Sequence, residues 1–140
     1  AWVNNPANIA RNDNMVSVNT AIQVDLTGQI CSESMGPRQY SGSGGALDFA
    51  YGAMHSKGGR GIIALSSTAK GGTISKIQAT LTPGAAVTIP RNIADYVITE
   101  YGIAPLRGRS LRQRVNNLIA IAHPDFRSEL RKQADQLMLW

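Results

Sequence analysis

Ser41-Gly42-Ser43-Gly44-Gly45 runs straight into Ala46-Leu47-Asp48-Phe49-Ala50, and this junction limits the fold more than any other stretch. Glycines packed this closely mean a tight turn, or backbone brought close to a ligand. Leu47, Ala50 and Met54 then recur at helical spacing, which predicts a helix over 46–56. Gly58, Gly59 and Gly61 break that helix, and Ile62-Ile63-Ala64-Leu65 reads as a short buried strand. Helices, strands and glycine loops interleaved in this way give an α/β fold, in which ligands sit in the loops after strands.

The rest of the chain fits that class. Residues 1–15 are rich in Asn and read as a connector entering a domain that spans 16–140, with a short helical turn around Asn8 to Arg11. Val16, Val18, Ile22, Val24 and Leu26 alternate, with a break around Asn19 to Ala21. Thr27-Gly28 turns the chain and Gln29 to Ser32 returns, so a β-hairpin is expected. Ile74 to Leu81 alternates as a half-buried strand, Pro83-Gly84 is a turn, Val87 to Ile89 is extended, and Tyr96 to Ile98 is a further strand. Ser110 is suited to cap a helix carrying Leu111, Val115, Leu118 and Ala122 on one stripe. Pro124 suits the first turn of a last helix. Phe126, Leu130, Ala134 and Leu137 are its buried stripe, and Arg127, Glu129, Arg131 and Lys132 face water.

Composition narrows the function. At 140 residues, 43% hydrophobic and 16% charged, the chain can build one core. A net charge of +5 and a pI near 9.8 suit an anionic partner. The basic residues lie mostly in the last helical stretch, and no aromatic-basic interleaving appears, so nucleic acid is not expected. No apolar run reaches the roughly 18 residues of a membrane span. Cys31 is the single cysteine, which excludes an internal disulfide and favours a reducing, cytoplasmic setting. His55 and His123 lack metal-ligand spacing, so no metal is expected.

Three places can carry chemistry. A glycine loop at a helix start offers N–H groups to a phosphate or to the oxyanion of acyl transfer, and equally serves as a plain loop with a helix cap. It is neither a P-loop nor the dinucleotide fingerprint, since no Gly-Lys-Ser/Thr follows and position 47 is Leu. Glu100, in Thr99-Glu100-Tyr101-Gly102, follows the strand at 96–98 and is a nucleophile, a base or an ordinary salt-bridged residue. Lys57 and Arg60, among glycines, are candidate pyrophosphate contacts or a solvated turn. Ser66-Ser67-Thr68 lacks the context of a hydrolase elbow.

The order of these pieces is more specific than any one of them. The sequence runs through VDLTGQICSES, GSGGALDFAYGAMHSKGG, IIALSST, VTIPRNIADYVITEYGIAPLRGRS and LIAIAHPDFR. This succession resembles the C-terminal domain of the acetyl-CoA hydrolase/transferase family, nearest to its 4-hydroxybutyrate and butyryl-CoA:acetate CoA-transferases. The resemblance implies an open mixed sheet with flanking helices of the CoA-transferase type, with the active site between two such domains. It implies acyl-CoA and a small carboxylic acid as substrates, no permanently bound cofactor, an N-terminal domain of the same enzyme as partner, and a homo-oligomer. The G-x-G-G-x-x-D-F motif falls on Gly42, Gly44, Gly45, Asp48 and Phe49, implied to bind CoA and wall the active site. Ala46 stands where the motif usually has Gln. The nucleophilic glutamate is implied to lie upstream of Ala1, leaving Glu100 and Glu33 as the alternatives within the chain. Acyl-CoA hydrolysis and plain CoA binding are the rival activities.

Overall fold

The computed structural model describes residues 2–140. Helix α1 (Pro6–Ala10) is followed by strands β1 (Val16–Asn19), β2 (Gln23–Asp25), β3 (Ile30–Cys31), β4 (Ser34–Met35) and β5 (Arg38–Gln39). Helix α2 (Ala46–His55) leads to β6 (Arg60–Ala64), β7 (Thr68–Ala69), β8 (Ile74–Ser75) and β9 (Ile77–Gln78). Strands β10 (Tyr96–Thr99) and β11 (Gly102–Pro105) precede helices α3 (Leu111–Ile121) and α4 (Pro124–Gln136).

The main sheet has the order β1-β6-β10-β11. Its first three strands are parallel, and β11 returns antiparallel to β10. A second sheet, β3-β2-β9, supplies Val24, Ile30 and Ile77, all fully buried, to the same core. This is an α/β fold with an open mixed sheet and flanking helices, as the sequence implies.

Local chemistry sets the helix limits. The Asn5 side chain accepts from the Ala7 amide and starts α1 at Pro6. Ser110 and Gln113 form a reciprocal capping box at α3. The expected core stripes hold at Val115, Leu118, Ala122, Leu130 and Ala134, while Leu111 and Leu137 are exposed at the helix ends. Arg127 departs from its expected solvent face: its Nε donates to the Ala122 carbonyl at 2.8 Å, tying α4 to the end of α3.

The strands differ more from expectation. Only β2 and β3 form the hairpin, pairing Gln23 with Cys31 and Val24 with Ile30. β1 joins the other sheet because Val16 pairs with Arg60, far along the chain. The alternation over 74–81 is broken at Lys76, whose amide donates to Ser67 and whose carbonyl accepts from Val24. The segment is thereby split between β8 and β9, in different sheets. Val87 to Ile89 contributes a single bridge, Ile89 to Ile30.

The two faces of the main sheet are unlike. α2 packs on β1 and β6, and α3 on β10 and β11. A Cβ on Gly61 would touch Ala50 of α2, and Thr99 reaches α3, so Ser17, Gly61, Ile63, Val97, Thr99 and Ala104 form the covered face. On the opposite face, register aligns Val18, Ile62, Tyr96 and Pro105 in one row and Ala64, Ile98 and Ile103 in the next. None of these seven is fully buried.

Candidate functional site at the strand ends

Strands β1, β6 and β10 point the same way, so Thr20, Leu65 and Glu100 follow their C-terminal ends side by side. Open α/β sheets bind ligands at this edge. A cleft of about 560 Å³ lies there, lined by Thr20, Ser66, Ile98 and Glu100 among others. A neighbouring cleft of about 570 Å³ shares Thr20 and carries Lys70 and Lys76.

Thr99-Glu100-Tyr101-Gly102 is the two-residue hairpin between β10 and β11. Each residue has its own task. The buried Thr99 hydroxyl donates to the Ile121 carbonyl at 2.6 Å and accepts from the Tyr101 amide at 3.1 Å. Glu100 turns to the loop after β6, where Oε2 accepts from the Ser67 amide at 2.9 Å and Oε1 from the Ser67 hydroxyl at 2.5 Å. The Ser67 hydroxyl bond holds the Glu100 carboxyl below its ordinary pKa of 4.5, with a smaller contribution from nearby His123. The Tyr101 ring meets the edge of His123, with centroids 5.5 Å apart, and the Arg127 guanidinium lies 5.5 Å from its centre. Gly102 sits at φ 139°, which only glycine adopts without strain.

Ser56, at the C-terminal end of α2, receives the Met15 amide and donates to the Asn12 carbonyl. The helix therefore ends at the start of β1, while the loop that leads into it is rooted at the other end of that strand: the Ser41 amide donates to the Glu33 carbonyl, and the adjacent Ser32 hydroxyl donates to the Thr20 carbonyl just past β1. The cap residue, Gly45, has no side chain to engage the first-turn amides. Gly42 and Gly44 are exposed, and a Cβ on either would meet nothing within 4 Å. Asp48, half-exposed, lies in the first turn of α2. Phe49 faces elsewhere, lining a shallow hollow of about 270 Å³ with Trp2, Ile9 and Met15.

Glu33 stands at the root of the glycine loop. Its carbonyl accepts from the Tyr40 and Ser41 amides, and its carboxylate from Thr88 at 2.9 Å and Gln39 at 3.1 Å. Lys57 and Arg60 lie at the far end of α2, about 15 Å along a ten-residue helix from Gly45. The structure thus sets Gly42, Gly44, Gly45 and Asp48 at the start of α2, in and after a loop rooted near the end of β1, and leaves Lys57 and Arg60 apart at the far end of the helix. Sequence reasoning passed over Ser67, which it weighed only as a nucleophile, and Lys70 and Lys76, whose spacing carries no motif. Among the described residues no cluster of His, Cys, Asp and Glu is arranged to hold a metal ion.

The acetyl-CoA hydrolase/transferase C-terminal domain profile matches residues 1–134. The chain belongs to the acetyl-CoA hydrolase/transferase family. Succinyl-CoA:cyclohexane-1-carboxylate CoA transferase of Geobacter metallireducens is 57% identical over 136 residues, covering 97% of this chain and 31% of the relative. The 4-hydroxybutyrate coenzyme A transferase of Clostridium kluyveri is 58% identical over 129 residues, covering 92% and 30%. The crystal structure of RipA from Yersinia pestis superposes with a TM-score of 0.91 at 49% identity, covering 99% of this chain and 31% of that one. This family domain therefore spans about a third of the length of the relatives it matches.

Proposed function

We propose that the chain is the C-terminal part of an acyl-CoA:carboxylate CoA-transferase that works through a glutamyl-CoA thioester, with the nucleophilic glutamate supplied by the part of the enzyme preceding this domain. Residues 16–140 are the domain itself and 1–15 the connector entering it. The observation that carries the reading is the half-built site. At the strand-end edge stand an open glycine loop and uncapped helix amides, while the one carboxylate in the cleft, Glu100, has both oxygens engaged by Ser67.

The chemistry divides accordingly. A glutamate carboxylate attacks the acyl-CoA thioester and expels CoA thiolate, giving an acyl-glutamyl anhydride. The thiolate attacks the glutamyl carbonyl, releasing the first acid and leaving glutamyl-CoA. An acceptor carboxylate attacks that thioester, and the returning thiolate takes the new acyl group. Each attack places negative charge on a carbonyl oxygen. The amides of Gly42 to Ala46 are the donors this chain offers it. Lys70 and Lys76 face the adjoining cleft and suit the CoA phosphates better than Lys57 and Arg60, which lie at the far end of α2. Acids of the acetate, butyrate and 4-hydroxybutyrate type are the substrates, the enzyme is a homo-oligomer, and the cytoplasm is its setting.

An assay of the 140-residue chain alone with acyl-CoA and acetate tests the division. No turnover is expected. Clear turnover overturns it and moves the nucleophile to Glu100 or Glu33.

A further inference from the structure

The bare face of the main sheet poses a problem for a chain of this kind. Ile62 to Leu65 and Tyr96 to Ile98 are continuous apolar runs, the pattern of parallel strands covered on both sides. Helices α2 and α3 cover one side only. On the other, Val18 is 61% exposed and Ile103 62% exposed, with Ile62, Ala64 and Ile98 half-buried between them. Neighbouring strands thus present a contiguous apolar patch, not isolated exposed residues.

We infer that this face seats an amphipathic helix from the part of the enzyme preceding this domain, and that the helix closes the strand-end cleft over Ser66 and Glu100. The inference rests on the reading of the chain as part of a longer CoA-transferase. Two observations select this occupant over a second copy of the chain. Parallel strands are joined by crossovers within one polypeptide, and those crossover helices cover the sheet faces. The relatives carry roughly twice again as much chain as this domain, since it spans 31% of their length. The patch is also continuous with the site: Ala64 and Ile98 belong to it and line the cleft of about 560 Å³ with Glu100. A helix seated on it ends beside Glu100, the one carboxylate among the described residues that line that cleft.

The test is a chimera in which this chain replaces the matching C-terminal third of the Geobacter metallireducens relative. Val18→Cys and Ile103→Cys are introduced separately and treated with N-ethylmaleimide, and labelling is read peptide by peptide by mass spectrometry. The fully buried Cys31 reports that the domain is folded. Both introduced cysteines are expected to react about a hundredfold more slowly in the folded chimera than in guanidinium. Reaction at near-denatured rates with Cys31 still protected overturns the inference. Protection that vanishes on dilution also overturns it, by assigning the face to a second copy. Turnover of the unsubstituted chimera is measured separately. A labelled face in an active enzyme sinks the docking inference alone, and a protected face in an inactive one sinks the transferase reading alone.

Discussion

The glycine loop and the Thr99–Gly102 hairpin stand at the same end of the sheet and are held in opposite ways. The hairpin is explained by the chain's own packing: Thr99 hooks α3, Glu100 clasps Ser67, Tyr101 meets the joint of α3 and α4, and Gly102 takes a glycine conformation. The loop is not so explained. No described residue lies within 4 Å of where a Cβ at position 42 or 44 would sit. The hairpin is a brace, and the loop is exposed, which is what the proposed function requires of it.

Substitutions sharpen the contrast, beginning with the brace. Thr99→Val removes the buried donor to Ile121 and the acceptor for Tyr101, and should cost about 2–3 kcal/mol in guanidinium denaturation. A loss under about 0.5 kcal/mol would erase the distinction. Gly44→Ala comes next, at about 1–2 kcal/mol, since φ 59° strains any residue with a Cβ although the space is free.

Glu100→Gln has a smaller, pH-dependent effect, because the carboxylate is exposed. Its pKa is lower in the folded state than the ordinary 4.5, so ionised Glu100 stabilises the fold above that value. The advantage over Gln should be full near neutrality and disappear as pH falls below 4.5 through the folded pKa. A stability gap that widens in acid would contradict the clasp. Gly42→Ala should change stability least, within about 0.5 kcal/mol, yet lower turnover of the chimera about tenfold. A Gly42→Ala chimera with full activity would make the loop a mere connection.

Legibility in the sequence followed the range of the forces involved. α2, α3 and α4 were readable because a helix carries its period, its caps and its stripe within a dozen residues, as Ser110 and Pro124 do. β6 and β10 were readable as apolar runs. β1 was drawn into the wrong hairpin because its partner β6 is non-local, and Val16 and Val18 face outward, so their alternation names no core. The glycine loop was legible as an anion-friendly turn, and family resemblance tied it to CoA. That Glu100 is held by Ser67, 33 residues away, is written in no local pattern.

As proposed, this domain supports a nucleophile it does not contain. The most direct measurement is borohydride trapping: the chimera is incubated with acyl-CoA, reduced, and its modified glutamate located by mass spectrometry. Reduction of a glutamyl thioester leaves an alcohol at the nucleophilic position. That alcohol is expected upstream of the transplanted chain, with Glu100 and Glu33 intact. Finding it at Glu100 or Glu33 would place the nucleophile within this domain and overturn the proposed division of the site.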